Sequence, residues 1–141
     1  AICKKEIKAS LNSKKVLLDF QKKVIKNRLD LNALLIRLKK ENKKIIALSA
    51  PAKGMTLLNY VKLDSDFLEY ATEKSKIKQN LYTPGVNIPV FSDQKILKTK
   101  PDYALLLAWN FSKEIIKNNN KYLKNGGKFI IPIPKVKIIK K

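Results

Sequence analysis

The chain has 141 residues, 45% of them hydrophobic, with a formal net charge of +20 and a pI near 10.1. That length fits one domain with a proper core and is short for two, and a mean hydropathy of -0.26 excludes a disordered chain. No apolar run approaches the roughly 20 residues of a membrane span, and the charged start Ala1-Ile2-Cys3-Lys4-Lys5-Glu6 does not read as a signal peptide.

From about Lys4 to Lys40 the sequence reads as helix. Leu17, Phe20, Val24, Leu31, Leu34, Leu35 and Leu38 recur every three or four positions with lysines between them. Asn27 to Asn32 is the weakest part, where Asp30 is placed to cap a second helix. Residues 1–41 are therefore expected to form a helical lead or connector, and 42–141 a compact domain. An α/β rhythm follows. Lys44 to Ser49 is a nearly continuous apolar strand of the kind buried on both faces of a parallel sheet. Ala50 to Gly54 is a turn, Met55 to Val61 a helix, Phe67 to Thr72 a second strand, and residues 73–87 a loop turning at Pro84-Gly85. Ile88-Pro89-Val90 is a brief edge strand, where proline is tolerated. Ser92 caps a short helix through Leu97, and Asp102 to Ala108 is the clearest central strand, with Asp102 starting it and doing no chemistry. Ser112 caps a helix ending at Asn125-Gly126-Gly127, Lys128 to Ile133 is another strand, and Val136 to Ile139 a last extended segment. The expected fold is α/β: a Rossmann-like three-layer domain with a mostly parallel sheet, preceded by a long N-terminal helix or helix pair.

A +20 charge is an electrostatic footprint of nucleic-acid binders. Yet Arg28 and Arg37 are the only arginines, and lysine cannot reproduce the forked contacts arginine makes to guanine and phosphate. The chain is also rich in Ile and Asn, whose codons, like those of Lys, are AT-rich. A low-GC genome gives this bias without a nucleic-acid partner, so the lysines are read as a solvated surface. With no histidine, imidazole catalysis and His-ligated metals are excluded. The four glycines include no G-x-G, so the dinucleotide or S-adenosylmethionine (SAM) site of an ordinary Rossmann domain is not expected here. Cys3, being single, excludes an internal disulfide and fits a reducing cytoplasm. The absence of a starting methionine is expected of a fragment, or of processing that removes it.

Ligands of open parallel sheets collect beyond the carboxyl ends of the strands. There the turn Ala50-Pro51-Ala52-Lys53-Gly54-Met55-Thr56 runs into a helix N-terminus, whose free N–H groups and dipole favour an anion. Lys53 is a phosphate ligand or a surface lysine. Gly54 allows close backbone approach. Thr56 binds a ligand or caps the helix. Lys78 and Gln79 reach a sugar or phosphate, or form an exposed loop; Trp109 and Asn110 face the crevice or the core. Glu73 is a ribose ligand by analogy with dinucleotide sites, and Tyr82 a packing residue.

These blocks resemble the C-terminal domain of the SAM-dependent sugar C-methyltransferases, which methylate nucleotide-linked deoxysugars. The resemblance rests on Ala50 to Tyr60, Lys78-Gln79, Pro84-Gly85, Ile88-Pro89, Pro101-Asp102-Tyr103, Ala108-Trp109-Asn110 and Gly126 to Pro134. It implies a Rossmann-like domain that holds a nucleotide-linked sugar against an upstream SAM-binding catalytic domain, itself preceded by a zinc-binding region. It implies too that this chain carries the substrate/phosphate-binding residues Lys53, Gly54, Thr56, Lys78, Gln79, Trp109 and Asn110, and neither SAM site, metal ligands nor catalytic base. Three positions depart from the family: Ser49 and Asn80 stand where glycine is common, and Thr72-Glu73-Lys74 where an aspartate is expected in the acidic place. A basic nucleic-acid-binding module and a protein-docking module acting through the N-terminal helix are the alternatives, ranked below it.

Overall fold

The computed structural model describes residues 5–6, 10–11 and 13–141; the expected helix start at Lys4 lies outside them. Lys5 and Glu6 are helical and Ser10 and Leu11 form a turn. Helix α1 then runs from Lys14 to Lys40, opened by the Ser13 hydroxyl, which accepts the Val16 N–H at 3.3 Å. It does not divide at Asp30. That carboxylate pairs instead with Lys26 at 3.0 Å one turn earlier, a contact that supports an uninterrupted helix.

Six strands follow: β1 (Ile45–Leu48), β2 (Ala71–Glu73), β3 (Val90–Ser92), β4 (Tyr103–Leu106), β5 (Lys128–Ile131) and β6 (Lys137–Ile139). Their order across the sheet is β3-β2-β1-β4-β5-β6, parallel except for the antiparallel β5–β6 pair. Helix α2 (Ala52–Val61) connects β1 to β2, α3 (Lys95–Thr99) connects β3 to β4, and α4 (Ser112–Asn118) with α5 (Asn120–Lys124) connects β4 to β5. Side-chain alternation divides the core into two layers. Ile45, Ala47, Tyr103, Leu105 and Ile130 face Leu31, Leu35, Leu38, Leu57, Leu58 and Val61 of α1 and α2. Ile46, Leu48, Ala104, Leu106 and Phe129 face Ile96 and Tyr122 of α3 and α5.

Several boundaries differ from the sequence reading, each for a local reason. Phe67 and Leu68 are not strand: their N–H groups close a turn on the Asp64 carbonyl, at 3.2 and 3.0 Å. Leu68 is fully buried all the same, which is why the apolar run looked like strand. Ser92 ends β3 instead of capping α3, whose N-cap is Gln94. Ser112 is the first residue of α4, preceded by a 3-10 turn, Trp109–Phe111. The expected single helix breaks at Asn119, whose backbone N–H and side-chain amide both donate to the Ile115 carbonyl, at 3.0 and 2.9 Å. Asp102 does start its strand: its Oδ2 accepts the Lys44 N–H at 2.8 Å and its carbonyl the Lys128 N–H at 3.0 Å, aligning β1, β4 and β5.

The last turns of α1 are core, since Leu31, Leu35 and Leu38 are 0–1% exposed. Leu35→Ala should therefore destabilise the fold by about 2–5 kcal/mol, read as a lower urea midpoint at unchanged slope. A loss under about 1 kcal/mol would show that α1 is not part of the cooperative unit.

Candidate ligand site at the carboxyl ends of the strands

β1 lies between β2 and β4, so the chain leaves β1 towards one side of the sheet and later returns to pair on the other. The crevice such a reversal opens is where open α/β sheets bind ligands. The β1–α2 turn stands over it. Pro51 is the N-cap of α2 and offers no side-chain cap, while its carbonyl accepts the N–H groups of Gly54 and Met55 at 2.9 and 3.2 Å. The N–H groups of Ala52 and Lys53 have no partner among the described residues and carry the positive end of the helix dipole.

Lys53 joins this turn to β4. Its Nζ stands 4.9 Å from the centre of the Trp109 ring and 5.6 Å from that of Phe111. No carboxylate among the described residues pairs with it. Contact with two aromatic faces positions the ammonium, at about 0.5–1 kcal/mol, without neutralising it. Phe111 was not singled out by the sequence reading, yet at 61% exposed it stands open beside the ammonium. The available signal was two aromatics in three residues, Trp109-Asn110-Phe111, directly after the central strand. Asn110 is exposed between them. Gly54 is buried and turned to the sheet: an added Cβ would lie 2.7 Å from Leu107 Cβ, so the missing side chain lets α2 approach the end of β4. Thr56 is exposed, its hydroxyl bonded to the Ala52 carbonyl at 3.4 Å within the helix.

On the other side of the turn, Glu73 at the end of β2 gathers four donors. Oε1 accepts the Lys74 and Ser75 N–H groups at 2.9 and 3.3 Å, and Oε2 accepts the Ala50 N–H and Lys78 Nζ, both at 3.4 Å. Lys78 also donates to the Ala50 carbonyl at 3.1 Å, and Gln79 to the Glu73 carbonyl at 2.8 Å. Burial by itself would raise the Glu73 carboxyl. The Ser75 N–H, the Lys78 charge and the Lys74 N–H outweigh it and hold the group below its ordinary value. Both oxygens are thus engaged by the chain's own groups. Beyond the clasp lies an open cleft of about 330 Å³ between α2 and residues 78–90, floored by Ala50, Met55 and Val90. Tyr82, expected to pack, is 68% exposed on its rim. Asn59 ties the far wall down by donating to the Pro84 carbonyl at 3.0 Å. Lys53 and Trp109 thus meet on one side of the turn, and Lys78 and Gln79 on the other.

The family model described as the C-methyltransferase C-terminal domain matches residues 1–134. The chain belongs to that family. C-methyltransferase NovU of Streptomyces niveus is 38% identical over 99 residues, 70% of this chain and 24% of that protein. The domain thus matches about a quarter of the length of its curated relative. Ser49 and Asn80, where the resemblance led glycine to be expected, have φ of 73° and 63°, the left-handed region that favours glycine. Asparagine tolerates it by local hydrogen bonding, serine less well. The backbone glycine would adopt is therefore present without glycine, with the strain concentrated at Ser49.

Two consequences are measurable. Ser49→Gly should stabilise the domain by about 0.5–1 kcal/mol, raising Tm; a lower Tm would mean that the serine side chain contributes more than its backbone costs. Because Glu73 titrates lower folded than unfolded, it stabilises at pH values above its unfolded value, and that contribution disappears as pH falls through the folded one. Glu73→Gln should cost about 1 kcal/mol at neutral pH, with the gap to the parent closing under acid. A pH-independent gap would rule out the charged clasp.

Proposed function

We propose that this domain is the substrate-side part of a SAM-dependent C-methyltransferase, holding the phosphates of a nucleotide-linked sugar beside a catalytic domain carried on another part of the polypeptide. The observation that carries this is the unpaired Lys53 ammonium, fixed over Trp109 and Phe111 next to the free N–H groups at the start of α2. Family membership supplies the reaction class. Two free N–H groups, a helix dipole and an unneutralised ammonium are what a diphosphate requires, and Phe111 leaves an aromatic face open beside them. Asn110 lies within the same turn. Lys78 and Gln79 support the site from the other side, Lys78 by holding Ala50 through its carbonyl. Thr56 stands on the exposed first turns of α2, and Gly54 acts by allowing that helix its approach to Leu107.

SAM does not fit here. The turn after β1 offers no glycine to the crevice, since Gly54 faces Leu107 and Ser49 carries a side chain. In the full enzyme SAM supplies the methyl group; this chain offers no convincing base for the preceding removal of a proton alpha to the sugar carbonyl. A sequence-indifferent nucleic-acid module remains the second reading, favoured by the +20 charge and opposed by the shortage of arginine.

Calorimetric titration of the chain with dTDP and a dTDP-sugar, at two salt concentrations, tests the reading. Lys53→Ala should weaken binding about 10- to 100-fold, the effect of one hydrogen bond to a charged group. Trp109→Ala, which releases the ammonium, should weaken it less. Equal affinity in parent and Lys53→Ala refutes the site. Binding of an oligonucleotide alone, lost steeply as salt rises, would establish the second reading instead.

A further inference from the structure

Helix α1 carries more apolar surface than the sheet covers. Its core line ends in the buried Leu31, Leu35 and Leu38, but a second line, Leu18, Ile25, Leu29 and Ile36, runs along another face and is 39–57% exposed. The spacings of seven, four and seven residues keep these four side chains in one file along a helix of 3.6 residues per turn. A file of leucine and isoleucine in water is unfavourable unless something covers it. Four apolar side chains in one line, with Lys22 and Asn32 in the intervening places, give another helix a straight file to pack against.

The charges beside the seam identify the kind of helix. At 100° per residue, Lys14 and Lys39 lie along one side of the file and Lys15, Lys22 and Lys40 along the other, while Arg28 on the first side is engaged over the Tyr60 ring at 5.2 Å. The acidic residues of the helix, Asp19 and Asp30, lie farther round, and Asp30 is already paired with Lys26. A second copy would set these lysines against one another in a chain of net charge +20. The first turn of α1 adds an independent indication. It contains Lys14 and Lys15 and no acidic residue, the reverse of what the positive end of a helix dipole favours. Carboxylates lying across that turn would satisfy both lysines and dipole. We propose that the Leu18–Ile36 face of α1 is a docking surface for an amphipathic helix of a partner protein domain, apolar along its seam and acidic on both flanks.

The test uses the 141-residue chain and a synthetic four-heptad helical peptide with leucine at both seam positions and glutamate at the flanking ones. Two control peptides are needed: one with lysine for the glutamates, one with serine for the leucines. The variant is Ile25→Gln with Leu29→Gln. Both residues are exposed and glutamine is a good helix former, so an unchanged Tm certifies the fold. Fluorescence anisotropy near physiological salt should show the acidic leucine peptide binding the parent at least about tenfold tighter than the variant, and tighter than either control. The proposal fails if the serine peptide binds as well as the leucine peptide, which means charge alone, or if the variant binds like the parent. It also fails if sedimentation shows that the chain alone dimerises and the variant does not, which makes the occupant a second copy. An oligonucleotide that displaces the peptide from the parent and still binds the variant equally well would assign the lysines to nucleic acid and overturn it too.

Discussion

β1 has no side that faces water. It is paired on one edge with β2 and on the other with β4, and all four of its residues are buried. Ile45 and Ala47 look to one face of the sheet and Ile46 and Leu48 to the other, so helices must cover both. The chain meets this by sending α1 and α2 to the first face and α3 with α5 to the second. The same central placement makes the chain leave β1 towards β2 and come back at β4. The candidate crevice is thus a by-product of burying one strand completely.

Around that crevice the charges are used unequally. Glu73 is surrounded by two N–H groups of its own loop, one from the β1–α2 turn and one lysine, and the clasp fixes where β1 ends. Lys53 has aromatic neighbours and, among the described residues, no carboxylate partner. A ring face orients an ammonium while leaving its charge outward, whereas an ion pair would have spent it. In a chain with 31 basic and 11 acidic residues, a lysine without a carboxylate is ordinary. One held in place beside unpaired N–H groups at a helix start is not.

Left-handed backbone occurs in this chain mostly without glycine. Ser49, Lys62, Asn80, Asn87 and Lys100 all take positive φ, several of them ending or starting an element. Lys62 and Lys100 end α2 and α3 in the left-handed form that usually calls for glycine. With only four glycines, the chain makes its turns with asparagine, serine and lysine and accepts the local cost. Where no side chain can be tolerated, glycine remains: at Gly85, φ of 86°, an added Cβ would run into the Asn59 amide, and at Gly54 into Leu107.

Periodicity and punctuation in the sequence determined the α/β class, the parallel sheet with its late extended segment and the long helix, and pointed to the region after β1 as a candidate ligand site. These follow from local rules: a short continuous apolar run bounded by turn residues fits a strand buried on both faces, and a turn leading into a helix exposes N–H groups whatever surrounds it. Tertiary structure decided what local rules cannot see. Leu68 is buried in a turn closed by the Asp64 carbonyl because its side chain joins the core that α1 and α2 share with the sheet. Gly54 faces Leu107 and Phe111 stands beside Lys53 because of where α2 settles on β4, residues some fifty positions apart in the chain. Glu73 had the look of a ligand and is held by its own loop, since its partners come from Ala50 and Lys78 only after β1 and β2 are side by side. Sequence spacing fixes contacts within a helix turn or along a strand; contacts between elements depend on packing that no single segment encodes.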